Sequence, residues 1–486
     1  MKNVSLFTDT IELANEICDE IRLFVPVRKI EYVDERKDEG YFLRHEFHEQ
    51  DFSHRCSLYV DGALVSVREV SVPKPDAEDI LIYKKLKKRG AKKAAFYCLN
   101  DFFKMELPWG SLTGIRPTKL YRELKRDMRD DALQFMKEEF DVSQNKLQLL
   151  HEINAIQEPI IGSVSRNDLD IYIGIPFCTS RCAYCSFASA LTSKTGDVEE
   201  KYVDALLYEI EKLRDITNQY NIRSVYIGGG TPTSLRQEQF ERVLRAAGVL
   251  AKEAREFTVE AGRPDTITKE KLQLIKDYGA NRISVNAQTS NDNTLKLIGR
   301  SHSYSDFLAA FALAKQTGLL INTDLIIGLP GETQEDALKS VRDMISLRPE
   351  NITVHTLAIK NASKFAKDNE RGFMSAISAQ TAVNASREVL KEYGYSPYYM
   401  YRQKYMAGNL ENVGYSLPKQ EGIYNIDIME ETTSILAFGA GGMSKRVYDL
   451  GNRIERTPAV KDITHYITRT QEMAQRKLEL FHKSNK

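Results

Sequence analysis

The 486-residue chain has six cysteines, one tryptophan and no net charge, with 68 basic residues against 68 acidic ones. Each scarcity excludes something. An even charge balance leaves no electrostatic footprint for nucleic acid or another polyanion. No run approaches the roughly 20 apolar residues that a membrane helix needs. The opening segment, Met1-Lys-Asn-Val-Ser-Leu-Phe-Thr-Asp-Thr10, has neither an apolar core nor a small-residue cleavage site, so a cytoplasmic protein is expected. The cysteines are too few and too unevenly spread for a disulfide scaffold. Cys18, Cys56 and Cys98 stand alone, Cys178, Cys182 and Cys185 crowd together, and none follows. The lone three are expected as small buried apolar residues.

What remains is an ordinary globular composition, 42% apolar and 28% charged, at a length that predicts about three domains. Residues 1–165 read as an α+β accessory domain. A hairpin is expected at Asp61-Gly62, between Cys56–Val60 and Ala63–Val70, from the alternation and the turn pair. Helical patterns cover Ile80–Arg89 and Thr118–Asp141. Between them, Pro108-Trp-Gly-Ser-Leu-Thr-Gly-Ile-Arg-Pro117 is a loop, either functional or a packed connector. His45, His48 and His54 have metal-like spacing, but their charged surroundings favour a solvated face.

Residues 166–395 have a regular rhythm. Strand-like runs at Ile171–Ile175, Ser224–Ile227, Phe257–Glu260, Arg282–Val285, Ile321–Ile327 and Asn351–His355 look nearly continuous in apolar content, as strands buried on both faces should. Helical patterns separate them at Val198–Ile216, Glu238–Ala254, Ser305–Thr317 and Gln334–Leu347. This alternation specifies an α/β fold with parallel strands and right-handed crossovers. Six units predict a partial (β/α)6 barrel; a complete barrel needs two more. Residues 396–486 break the rhythm with Pro397-Tyr-Tyr-Met-Tyr-Arg-Gln-Lys-Tyr405, Phe438-Gly-Ala-Gly-Gly-Met443 and a helical tail from about Ala459. They are expected to form a C-terminal region that covers substrate.

The decisive segment is Tyr172-Ile-Gly-Ile-Pro-Phe-Cys178-Thr-Ser-Arg-Cys182-Ala-Tyr-Cys185-Ser-Phe187. It leaves the first barrel strand and places three thiols, spaced x3 and x2, on one loop. Thiolates are the ligands of iron–sulfur clusters, and three of them leave one iron of a [4Fe-4S] cube open. A zinc ribbon needs a second cysteine pair or paired histidines, and His302, His355, His465 and His482 have no such spacing. A chance group of structural cysteines is the remaining alternative; ligand count favours the cluster. After the second strand, Gly228-Gly-Gly-Thr-Pro-Thr233 lets backbone approach a ligand closely at a barrel strand end.

These motifs resemble those of the radical S-adenosylmethionine (SAM) superfamily. Within it they resemble the oxygen-independent coproporphyrinogen III dehydrogenase family, in a Firmicute-type variant with an extra N-terminal domain. The likeness runs over about residues 168–450. It includes Glu260 within Val-Glu-Ala-Gly-Arg-Pro, Gln288 within Ser-Val-Asn-Ala-Gln, and Arg300 within Ile-Gly-Arg-Ser-His. Asp324 lies within Asn-Thr-Asp-Leu-Ile-Ile-Gly-Leu-Pro-Gly. The resemblance implies that Cys178, Cys182 and Cys185 hold the cluster and that its open iron chelates SAM. It implies one SAM among Tyr172, Tyr184, Gly229, Glu260 and Met443. It implies a second among Gly230, Thr231, Gln288, Arg300, Asp324 and Ala358; their place after or at the end of strands four and five is expected to set Gln288, Arg300 and Asp324 across from the cysteine loop. Ala358 and Met443 also read as plain packing residues.

The resemblance further implies oxidative decarboxylation of coproporphyrinogen III to protoporphyrinogen IX, with no catalytic residue beyond the cluster and SAM. The expected partners are a tetrapyrrole, a reduced flavodoxin- or ferredoxin-type electron donor and an electron acceptor of unknown kind, with no nucleic acid. One position departs. Phe187 stands where one branch has a further cysteine, and Cys185-Ser-Phe-Ala-Ser189 resembles the haem-chaperone branch. The alternatives are therefore a haem-binding chaperone or a radical enzyme that opens the porphyrin ring.

Overall fold

A computed structural model describes residues 3–25, 27, 29–75, 79–128, 131–187, 189–192, 196–359, 363–367, 373–404, 406–448 and 453–482. Met1, Lys2, Ala188 and Tyr405, which belong to runs quoted above, lie outside the described residues, as do residues 129–130 and 483–486. The chain divides into two compact units: residues 1–115 with 123–149 and 408–410, and residues 116–122 with 150–407 and 411–486.

The first unit holds β1 (Val4–Thr8), β2 (Glu31–Tyr32), β3 (Tyr41–His48), β4 (Ser53–Val60) and β5 (Ala63–Ser71) in the order β2-β1-β3-β4-β5. β4 and β5 form the expected hairpin. Asp61 (φ 47°) and Gly62 (φ 80°) both take the left-handed conformation that a two-residue turn requires. The helix expected at Ile80–Arg89 continues to Phe103, because Gly90, Ala91, Ala94 and Ala95 let it lie flat against the core. The expected helix over Thr118–Asp141 divides into Pro117–Met128 and Ala132–Phe140. Trp109 is completely buried in its loop.

The expectation of a solvated histidine face is corrected here. His45 and His54 are both 0% exposed, and only His48 faces solvent. The reason is strand periodicity: His45 on β3 and His54 on β4 point to the core side, while the charged neighbours point away. His45 Nδ1 lies 2.9 Å from Thr8 Oγ1, and its Nε2 lies 3.0 Å from His54 Nδ1.

The second unit is built on parallel strands β6 (Asp168–Ile175), β9 (Asn221–Gly229), β10 (Glu256–Glu260), β11 (Arg282–Ser284), β12 (Leu320–Ile327) and β13 (Asn351–Thr356). The short β7 (Phe177–Cys178) and β8 (Ala190–Leu191) pair with each other in the cysteine loop. The six strands run in sequential order with a helix after each, as a partial (β/α)6 barrel should. The barrel stays open because both edges are taken. Antiparallel β15 (Asn412–Ser416) lines β13 and pairs with β14 (Ser396–Tyr401). Parallel β16 (Ser434–Phe438) lines β6, followed by antiparallel β17 (Met443–Tyr448) and β18 (Arg453–Pro458). Residues 396–486 are thus sheet as much as helix; helices occupy Ile423–Glu430, Ile463–Thr468 and Thr470–His482.

The strands are not apolar on both faces. Ile171, Val225, Val259, Ile283, Ile321 and Val354 are buried among hydrophobic residues. Alternate residues, Tyr172, Tyr226, Glu260, Asn322, Asp324 and His355, line a cavity on the inner side. β-Branched neighbours mask this period of two in a linear reading.

Candidate active site

The site grows from the C-terminal ends of the parallel strands. β6 ends at Ile175, and the chain passes through Pro176 into the cysteine loop. That loop is clasped by its neighbours. Ala183 N–H donates to Ile298 O (2.8 Å), and Phe365 N–H donates to Ala183 O (3.2 Å). The buried Arg263 donates to Cys182 Sγ (3.7 Å), Ser180 O (3.3 Å) and Ser301 Oγ (2.8 Å), and its Nε pairs with Asp265 (3.1 Å). Cys178 Sγ lies 3.5 Å from Thr231 Oγ1. Burial pushes the Cys178 and Cys185 thiols up, so they ionise as a metal binds and not before.

β9 runs straight into the glycine turn. Gly229 sits at φ +114°, a conformation closed to L side chains. A Cβ on Gly230 would meet Phe177 O at 2.5 Å, because Gly230 N–H donates to Ile175 O (2.8 Å) and Thr231 N–H to Phe177 O (2.7 Å). The glycines thereby lace this turn to the start of the cysteine loop.

Two carboxylates stand beside the turn. Glu260 accepts from Tyr226 Oη (2.6 Å) and Gly229 N–H (3.2 Å). Burial lifts its carboxyl to about 7 despite the Tyr226 bond, and the Asp324 charge adds to the rise. Asp324 receives Asn322 Nδ2 (2.8 Å) and has His355 Nε2 at 3.7 Å. Burial works to raise Asp324, but His355, Asn322 and Thr353 together outweigh it and hold the carboxyl below the usual range. Gln288 takes a left-handed backbone (φ 67°) while its N–H donates to Asp324 O (2.8 Å) and its O accepts from Ile326 N–H (2.9 Å). That conformation costs a non-glycine residue on the order of 1 kcal/mol. Arg300 donates to Tyr184 Oη (3.1 Å) and Gly262 O (2.8 Å). The structure therefore places Arg300 against the cysteine loop and not across from it, because the short helix Asp292–Leu297 turns the chain back at Gly299.

Of the cofactor residues expected from sequence, all but Tyr172 and Met443 line one cavity of about 340 Å³ together with the three cysteines. Tyr172 and Met443 line an adjoining cavity of about 410 Å³, which shares Phe187, Gly229, Glu260, Asp324, His355 and Tyr401 with the first. Its wall carries a stack of tyrosines: Tyr226 lies 4.6 Å from Tyr424 and 6.3 Å from Tyr172, the rings within 20° of parallel. Arg263, Tyr226 and His355 were not foreseen. Tyr226 and His355 fall on the inward alternation with Glu260 and Asp324, and Arg263 lies inside a motif already singled out.

Residues 172–344 match the model of the Radical SAM superfamily. Over 398 residues the chain is 39% identical to the oxygen-independent coproporphyrinogen-III oxidase-like protein HemZ of Bacillus subtilis, a match covering 78% of this chain and 78% of that relative. The chain belongs to this radical SAM family. A haem chaperone, HemW of Bacillus subtilis, is 36% identical over 205 residues, 41% of this chain and 53% of the chaperone. The chain thus spans about half the length of that relative. The solved coproporphyrinogen III oxidase HemN of Escherichia coli shares the fold, with a TM-score of 0.51 at 21% identity over 65% of this chain and 72% of that one.

The superfamily works with a [4Fe-4S] cluster and SAM, and so does this chain. The residues present fit both. Three cysteines, and no fourth, line the first cavity. Among the described residues no three Cys, His, Asp or Glu side chains converge on one ion position. Asn286 Oδ1, Gln288 Oε1 and Arg300 Nε are buried without a partner among the described residues, as polar atoms kept for a polar ligand should be. No described helix is long and apolar enough to cross a membrane.

Proposed function

We propose that this chain converts propionate side chains of coproporphyrinogen III to vinyl groups without oxygen, giving protoporphyrinogen IX. The observation that carries the reading is the pair of joined cavities, thiol-lined at one end and tyrosine-walled at the other, with Glu260 and Asp324 between them. The 39% identity with the oxidase-like HemZ supports it.

In this reading Cys178, Cys182 and Cys185 hold the cluster through three irons. Bound together, the cluster and SAM would supply a 5′-deoxyadenosyl radical able to take a hydrogen atom from a propionate β-carbon; loss of carbon dioxide would leave the vinyl group, the remaining electron passing to an acceptor of unknown kind. The chain's own residues bind and orient. Glu260, once ionised, accepts from the ammonium of SAM, and the backbone of Gly229 and Gly230 lies against it. Asp324 takes ribose hydroxyls or offsets the sulfonium. Gln288 and Ala358 line the same cavity, where a second SAM fits; Thr231, beside Cys178, and Arg300, which holds Tyr184, offer it donors from the side of the cysteine loop. The tyrosine wall excludes water and holds the propionate close to the reacting carbon. A flavodoxin- or ferredoxin-type protein in the cytoplasm donates the electron that reduces the cluster.

Phe187 favours a second reading, haem binding without turnover. It is 64% exposed at the mouth that the two cavities share, in the motif that resembles the haem chaperones. The test is anaerobic incubation of reduced, cluster-loaded protein with SAM and coproporphyrinogen III. Vinyl product with released carbon dioxide is expected. Stoichiometric haem binding with no carbon dioxide overturns the dehydrogenase in favour of the chaperone, and a linear tetrapyrrole favours ring opening.

A further inference from the structure

We propose that the deep end of the tyrosine-walled cavity is a carboxylate-binding site built on Lys445, which takes a substrate carboxylate remote from the one that reacts. The inference rests on reading the joined cavities as the substrate chamber.

Strand register locates the site. Gly229 pairs with Ile175, at the cysteine end of β6. Lys445 pairs with Ile435, which pairs with Asp170 of β6. Lys445 is thus five strand positions deeper than the glycine turn, about 16 Å at a strand's rise per residue. That separation is on the scale of a tetrapyrrole with its side chains. Between the two levels the cavity is walled by Tyr172, Tyr226, Tyr398, Tyr399 and Tyr424, whose ring faces suit a pyrrole-bearing ligand.

Charge supplies the second argument. The carboxylate of Glu431, 3% exposed, is shared by Lys119 Nζ (2.8 Å), Arg456 (2.8 Å), Arg116 (3.0 Å) and Lys445 Nζ (3.4 Å). Lys445 makes the longest of these contacts, and of the four cations it alone lines the cavity. Burial first, then the neighbouring Arg116, push its ammonium down to about 8, although Glu431 pulls the other way. A buried ammonium whose one carboxylate is divided among stronger partners is under-compensated, and a second anion relieves it. The cavity's other strong cation already has a carboxylate of its own, Glu256 at 3.7 Å, and only its Nε lacks a hydrogen bond among the described residues. Arg282 donates to Asn351, Gln420 O (3.0 Å) and Glu421 O (3.3 Å).

A structural knot fastening residues 116–122 to the sheet would use the same contacts, so the test must separate the two. Cluster-loaded protein is titrated with coproporphyrin III, the stable oxidised ring bearing the same four propionates, and with its tetra-amide. Wild type should bind the acid more tightly. Lys445→Met should weaken the acid tenfold or more and leave the amide unchanged, whereas Lys445→Arg should keep the preference. Glu431→Gln removes the competing carboxylate and should tighten the acid, the opposite sign to Lys445→Met. Equal affinity of Lys445→Met and wild type for the acid, or equal weakening of acid and amide in both variants, overturns the site. No turnover is measured, so a chain that binds the acid through Lys445 yet releases no carbon dioxide loses the dehydrogenase reading and keeps this site.

Discussion

In the first unit Cys18, Cys56 and Cys98 pack into one apolar core with Leu6, Ile17 and Leu58; in the second, Cys178, Cys182 and Cys185 line a cavity. Burial pushes the Cys98 thiol up to about 11 and the Cys56 thiol well above its ordinary value, so neither offers a thiolate. Histidines divide the same way. His45 and His54 bond to each other inside the first unit, while His355 stands beside Asp324 on the cavity wall. His54 Nε2 has no partner among the described residues, but it lies against Gly90, where a Cβ would sit 2.7 Å away. The lesson is that residue type says little. A polar group that the fold closes over is structural, and one left facing a cavity is reserved for a ligand.

The largest effect should come from exchanging the two sets of cysteines. Any of Cys178→Ala, Cys182→Ala or Cys185→Ala should abolish SAM cleavage and lower iron below the roughly four atoms per chain of a full cluster. Cys18→Ala, Cys56→Ala or Cys98→Ala should retain iron and cleavage and cost roughly 1 kcal/mol of stability, the price of a small cavity. Iron analysis and urea unfolding of all six variants check this. Cluster loss in Cys98→Ala with retention in Cys182→Ala would falsify the division.

The next effect concerns the cavity carboxylate. Glu260 has a folded value of about 7, above the ordinary carboxylate range. Its protonated form is therefore favoured by folding, and that contribution is complete near pH 4 and lost as pH rises through 7. SAM binding, which needs the ionised form, should run the other way. Affinity should improve up to about tenfold per unit as pH approaches 7 from below and then level off. Glu260→Gln should bind weakly with little dependence on pH between 6 and 7.5. Calorimetric titration checks this, and a slope retained in Glu260→Gln would move the assignment to another group.

Much of this contrast was legible in the sequence. The six parallel strands, the crossover helices and the Asp61-Gly62 hairpin follow from local period and turn chemistry, whereas the cavity residues came from the resemblance of the strand-end motifs to a known family. The strands β14 to β18 did not, because Tyr- and Gly-rich runs carry no helix–strand rhythm and pair with partners far along the chain. The burial of His45 and His54 was hidden by charged neighbours on the opposite strand face. The place of Arg300 depended on a turn at Gly299 that spacing alone does not orient.

The histidine pair offers a milder break between the regions. Burial lowers His45 to about 4 and His54 to about 3, below the ordinary value near 6.5. Both shifts are depressions, so the stability they carry is present above pH 6.5 and is lost as pH falls toward 4. Asp9 and Glu46 pull His45 upward, and Lys87 and His48 oppose protonation of both rings. The first proton taken up should cost on the order of 3 kcal/mol by pH 4. Trp109, the chain's one tryptophan, lies in this unit and reports its unfolding. Its urea midpoint should fall between pH 6.5 and 4.5 in wild type and fall less in His54→Phe. Parallel slopes would show that the pair does not set the acid limit.

The smallest expected effect is electrostatic and lies at the cysteine loop itself. Arg263 donates to Cys182 Sγ and is paired with Asp265, which also accepts from Thr179 Oγ1 (2.9 Å). A hydrogen bond from a cation to a cluster sulfur stabilises the reduced, more negative state, and a nearby carboxylate opposes it. Arg263→Gln should therefore lower the cluster's midpoint potential and Asp265→Asn should raise it, with Arg263→Lys between Gln and wild type. In a one-electron couple, 1.4 kcal/mol of differential interaction is about 59 mV, so shifts of tens of millivolts are expected. Redox titration followed by electron paramagnetic resonance reads them on protein with a full complement of iron. A clasp that merely holds the loop in place would make both variants lose cluster without moving the potential in opposite directions. Shifts of the same sign in the two variants would leave Arg263 as that clasp and nothing more.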